Sequence, residues 1–147
     1  AWLDLFEPQG PYRSELRDVL EAFAMLHPHL GYIQGMSFLA GMLLAHGVEP
    51  VQALRCLTEL LSRPLFTALY TGDAERLERR FFVFDLILRR NLPELHAHFE
   101  EHGITPGLYL PAWLVTGFAK QLPLGVCARV WDLYLLDGEE ALLRAAA

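Results

Sequence analysis

The chain has 147 residues, with eighteen Asp plus Glu against twelve Lys plus Arg and a formal net charge of -6. At 53% hydrophobic and 20% charged it is too apolar for a disordered segment, and one domain of this length buries enough surface to need no disulfide or metal staple. The acidic balance leaves no basic stripe for phosphates and no polybasic anchor, which excludes a nucleic-acid binder and a membrane-surface anchor.

Helical periodicity dominates the chain. Leu16, Val19, Leu20 and Phe23 recur at helical spacing, and Pro28 closes that segment. Residues 35–46 are apolar nearly all round, so that helix should be central and buried, with Gly47 as its stop. Pro50 falls in the first turn of the next helix, whose apolar face is Val51, Leu54, Leu57 and Leu61. Asp73 is the predicted N-cap of a helix carrying Leu77, Phe81, Phe84 and Leu88 on one face. Pro93 opens a short helix that ends before Gly103, and Pro111 opens another that runs through Lys120. A last long helix spans about Leu124 to Leu136 and stops at Asp137-Gly138. Glu139 to Ala147 then begins an eighth. No stretch alternates with period two between turn signals, so the predicted fold is all-α, with seven to eight helices and no sheet.

No linker-like stretch divides residues 1–147, which read as one domain. The chain begins without Met and stops inside a helix-like run, so it reads as part of a longer protein, truncated at both ends. The longest apolar runs, Met36 to Val48 and Gly107 to Ala119, fall short of the ~18 residues a membrane span needs. No basic segment precedes an apolar stretch at the N-terminus, so no signal peptide is predicted. Cys56 and Cys127 lie far apart on helical patterns and read as two reduced, mostly buried thiols.

Three candidate sites are weighed on chemistry. His96, His98 and His102 sit near Glu100 and Glu101, and His98 and His102, four apart, share one helix face. The string HAHFEEH lacks the HExxH spacing, so the expected reading is a solvated polar face with no metal. His27 and His29, flanking Pro28, are read as a turn. Neither a GxSxG elbow nor a GxxxxGK[ST] loop occurs, so the chain is not expected to bind a nucleotide by itself.

The third candidate is Gly31-Tyr32-Ile33-Gln34-Gly35-Met36-Ser37, which joins two helices. Glycines at 31 and 35 allow close backbone approach and leave Gln34 projecting at a helix N-terminus, where the dipole favours an anionic group. A glutamine amide donates and accepts without charge, so it can hold a water and an oxyanion together. In GTP hydrolysis a glutamine commonly orients the attacking water. The alternative on chemistry alone is a tight interhelical turn with a polar tip.

The string LHPHLGYIQGMSFLAGMLL resembles the glutamine-finger motif of TBC domains, the GTPase-activating domains for Rab GTPases. Upstream, GPYRSELRDVLEAF resembles the helix preceding that motif. Downstream, Trp113, Phe118, Pro123, Leu124, Arg129, Trp131 and Asp132 resemble the family's W…F…PL…R-x-WD block, followed by Asp137-Gly138-Glu139. The resemblance implies a two-finger mechanism in which the domain completes a partner's active site and is not an enzyme alone. Gln34 matches the glutamine finger, Tyr32 the aromatic that supports its loop, and Gly31 and Gly35 the flanking glycines. It implies a GTP-bound Rab as partner, GTP and Mg²⁺ held by that partner, and no cofactor of the domain's own. A cytoplasmic location follows, with recruitment to endomembranes through the Rab. Two departures stand out. The arginine motif, I-x-x-D-x-x-R, is missing and would fall just upstream of Ala1; Arg13 and Arg17 lie on the following helix, off the motif position. His29 stands where relatives often carry an acidic residue. The alternative within the same fold is therefore a Rab-binding scaffold with weak or no catalysis. Arg129 and Asp132, three apart, are read as structural or as a GTPase contact.

Overall fold

The computed structural model describes residues 2–147, and the regular structure within them is helical. A short 3-10 turn, Trp2–Phe6, precedes α1 (Arg13–Leu26), α2 (Met36–Ala45), α3 (Pro50–Ser62), α4 (Pro64–Thr71) and α5 (Ala74–Asn91). There follow α6 (Pro93–Glu101), α7 (Pro106–Leu114), α8 (Leu124–Asp137) and α9 (Glu139–Ala146). The expected all-α class without a sheet holds among the described residues, with one helix more than predicted. No described helix is long and apolar enough to cross a membrane.

The central helix is α2, as its all-round apolarity required. Met36, Leu39, Ala40, Met42 and Leu44 are buried on several of its faces. The 3-10 turn, α1 and α3 pack around it, and the rings of Trp2 and Phe6 come within 3.5 Å of where a Cβ on Gly41 would stand. A second group forms around α5, which packs against α4, α6, α7 and α9, while α8 packs on α9. Arg80 of α5 ties this group together by donating to one carboxylate oxygen of Glu139 from Nη2 at 2.9 Å and from Nε at 3.2 Å. Asp73 caps α5 as predicted, its side chain accepting from the Arg76 amide at 3.1 Å.

Three expectations need correction. Pro64 opens a helix, α4, that the pattern did not predict. The chain bends at Arg63 (φ -67°, ψ 144°), the extended conformation favoured before proline, and Pro64 then starts the new helix with its fixed φ. The helix expected from Pro111 to Lys120 instead runs from Pro106 to Leu114, with Pro111 inside it. It stops because Gly117 (φ 53°) and Phe118 (φ 64°) are successive left-handed residues. For Phe118 that backbone costs about 1–2 kcal/mol, a cost of the same size as the gain from burying its ring, about 1.5–3 kcal/mol. Finally, the buried stripe of α3 is Ala53, Leu57 and Leu61. Val51 and Cys56 fall outside it and are exposed; of the two thiols only Cys127 is buried.

Candidate functional site: the Gln34 loop

Between α1 and α2 the chain makes two turns. The amides of Leu30 and Gly31 both donate to the His27 carbonyl, at 3.0 and 2.8 Å. Gly31 takes the left-handed conformation (φ 62°), and Gly35, the N-cap of α2, takes φ 113°. Between them Tyr32 is 53% exposed and Gln34 is exposed. Among the described residues the Gln34 amide has no hydrogen-bond partner. Its donor and acceptor are both available to a second molecule.

The two glycines serve different purposes. A Cβ on Gly31 would meet nothing within 4 Å, so that position needs glycine for its backbone angle and not for close approach, contrary to expectation. Gly35 is the close approach. A Cβ there would lie 3.1 Å from Val115 Cγ2, 3.2 Å from the Val115 carbonyl oxygen and 3.3 Å from the Tyr70 hydroxyl. Tyr70 Oη donates to that same carbonyl at 2.7 Å. Burial holds the Tyr70 phenol well above its ordinary range, so it stays a neutral donor.

The wall under Gly35 is itself anchored. Trp131 Nε1 of α8 donates to the Gly117 carbonyl at 2.8 Å, and the Cys127 thiol donates to the same oxygen at 3.3 Å. Burial raises the Cys127 thiol to about 11. The Gln34 loop thus rests on α4 through Tyr70 and on the 115–122 turn, which rests in turn on α8. At the start of α2, the Met36 amide donates to the Ile33 carbonyl at 3.2 Å and the Phe38 amide to Gly35 at 3.0 Å. These first-turn donors, expected to face an anion, are already partly engaged. Beside the loop lies a groove of about 600 Å³ lined by Tyr32 and, from α1, by Arg13, Arg17 and Glu21.

The sequence matches the profile of the Rab-GTPase-TBC domain over residues 4–147. The chain belongs to the Rab-GTPase-TBC domain family. It is 38% identical over 144 residues to "TBC1 domain family member 12" of Xenopus tropicalis and 37% identical to "TBC1 domain family member 14" of Homo sapiens, covering 98% of this chain and 21% of each relative. "Drainin" of Dictyostelium discoideum is 36% identical, with 98% of this chain and 33% of the relative covered. The chain therefore spans about a fifth to a third of the length of these curated relatives. Its fold superposes on the crystal structure of the Chlamydomonas flagellar RabGAP TBC domain with a TM-score of 0.80 and 26% identity, over 99% of this chain and 47% of that one.

Within this TBC domain the sequence-derived residues scatter. Gly31, Tyr32, Gln34 and Gly35 form one loop. Arg129 and Asp132 lie exposed on α8 and, among the described residues, form no ion pair with each other. Phe118 is buried, while Trp113 and Trp131 pack half-buried against the core. Tyr70 and Val115 were missed as supports. The only sequence signal for Tyr70 is a polar-tipped aromatic inside the apolar run Pro64–Tyr70.

Proposed function

We propose that this TBC domain accelerates GTP hydrolysis by a Rab-family GTPase and that Gln34 is its glutamine finger. The observation that carries the reading is the pairing of an exposed, unpartnered Gln34 amide with a neighbour, Gly35, held against the Tyr70–Val115 contact. Such a finger needs reach and a fixed root. Positioning a water at the γ-phosphate is an orientation problem, and a loose root would forfeit it. Gln34 accepts a proton-bearing contact from the water and donates to a phosphoryl oxygen, and Tyr32 beside it meets the GTPase surface. GTP and Mg²⁺ belong to the partner, and the domain brings no cofactor. Arg129 and Asp132 are candidate contacts at the edge of the same partner. Location follows the Rab, on the cytoplasmic face of an endomembrane.

No I-x-x-D-x-x-R string occurs within residues 1–147, so they do not supply the arginine finger that a two-finger activator uses. That finger is worth about 10³–10⁵ in rate. The same observation supports a second reading, a Rab-binding scaffold that keeps the loop without catalysis.

Single-turnover GTP hydrolysis across a Rab panel distinguishes them, run with this chain and with the chain extended upstream. For an activator, one or a few Rabs are accelerated by the extended chain. Gln34→Ala then lowers that rate by about 10²–10³, the usual loss for one positioned hydrogen-bonding group, while binding to the GTP form persists. GTP-dependent binding with no acceleration of any Rab would establish the scaffold instead.

A further inference from the structure

We propose that the C-terminal end of α6 binds one divalent transition-metal ion of the zinc and copper class through His98, Glu101 and His102. Residues 98, 101 and 102 are spaced H-x-x-E-H, which puts both imidazoles and the carboxylate on one side of the last helical turn. One ligand atom from each of the three lies within 4.8 Å of the other two. A tetrahedral ion with bonds of about 2.0–2.1 Å holds its donors roughly 3.4 Å apart. All three side chains are exposed, which leaves His98 and Glu101 room to turn towards an ion beside His102 without moving the backbone.

A hydrogen bond already orients one of the rings. His102 is the C-cap of α6, and its Nδ1 lies 2.9 Å from the His98 carbonyl oxygen. A carbonyl can only accept, so Nδ1 carries the proton and Nε2 keeps its lone pair facing outward. This is the support that metal-bound histidines commonly have, a backbone carbonyl behind the ring fixing its tautomer and direction. The His98 ring stands beside it, with centroids 4.2 Å apart.

His96 is otherwise engaged, with Asp85 and Glu100. His96 is 5% exposed; its Nε2 lies 3.2 Å from Asp85, and its Nδ1 lies 3.5 Å from Glu100. That leaves two imidazoles and one carboxylate. Such a set favours zinc, copper or nickel over calcium or magnesium, which need more oxygen donors. Water fills the remaining positions. Glu101 and its spacing to both histidines turn what the sequence suggested was a solvated face into a three-donor site. An ion bound there would fasten the last turn of α6 to its cap and stiffen the passage into α7.

Calorimetric titration of the chain with zinc chloride tests this. One ion per chain is expected, and His98→Ala and His102→Ala should each weaken its binding about tenfold or more. His29→Ala, in the turn between α1 and α2, should leave it unchanged. Copper loaded at one equivalent should give an electron paramagnetic resonance spectrum with two imidazole nitrogens in the wild type, a readout that stands whether or not a variant folds. No saturable uptake, or uptake undiminished in both folded variants, would overturn the proposal. Its failure would leave the Gln34 reading untouched, because the two sites share no residue.

Discussion

A methyl group added to Gly35 would meet Val115 and the Tyr70 hydroxyl at 3.1–3.3 Å while holding φ at 113°. Added to Gly31 it would meet only the backbone penalty of the left-handed region. Gly31→Ala should therefore cost about 1 kcal/mol, and Gly35→Ala about 3 kcal/mol or more, since strain and steric conflict add. Urea unfolding of the two variants checks this. Equal costs would mean that the wall beneath Gly35 yields easily and does not fix the Gln34 loop. The same residue-scale logic separates Gln34 from its neighbours. An exposed side chain without an internal partner contributes little to folding, so loss of Gln34 should leave stability nearly unchanged, and on the proposed function it should show only in the rate of GTP hydrolysis.

Elements converge behind the loop by way of three hydrogen bonds, from a phenol, a thiol and an indole, onto two carbonyl oxygens. Helix α4 supplies Tyr70, the 115–122 turn supplies Val115 and Gly117, and α8 supplies Trp131 and Cys127. The Trp-Asp block lies about a hundred residues beyond the glutamine, yet its indole holds the turn that backs the glutamine's neighbour. Trp131→Phe removes the 2.8 Å bond to the Gly117 carbonyl and leaves a buried acceptor with only the weaker thiol donor. The expected loss is about 1–3 kcal/mol, measurable by urea unfolding. Hydrogen exchange should also quicken in residues 115–122 ahead of α3, which does not touch the indole bond. Unchanged exchange in that turn would show that other packing carries it.

Across the whole molecule, burial of neutral acids sets the response to alkali. Burial pushes the Cys127 thiol from 9.0 up to about 11, against a smaller lowering by Trp131. The phenols of Tyr70, Tyr109 and Tyr134 are raised by burial as well. The folded state therefore keeps protons that the unfolded state has already released. Stability from these groups is complete below the unfolded values and falls as pH rises through the folded ones. The melting temperature should hold up to about pH 9 and then decline steadily towards pH 11 and beyond. Cys127→Ala should flatten the first part of that decline. A melting temperature indifferent to pH over this range would mean that the thiol is wetter than its place between α8 and the Gly117 turn implies.

The sequence by itself determined the helical class, the central place of α2, the cap at Asp73 and the loop that carries Gln34. Each is written in local chemistry: apolar residues at helical spacing, a carboxylate at a helix start, glycines where φ is positive. The TBC family was legible in the order of its motifs. The tertiary structure alone decided where α7 ends, that α4 exists, which thiol is buried, and what stands behind Gly35. The last of these depends on contacts between residues 45 to 80 positions apart, Tyr70 with Val115 and Gly35 with Val115. Packing there outweighs local propensity, holding even Phe118 in a left-handed backbone because its ring is buried. Local pattern specifies which face of a helix is apolar. It does not specify which other segment that face will meet, and the support of the Gln34 loop is built from such meetings.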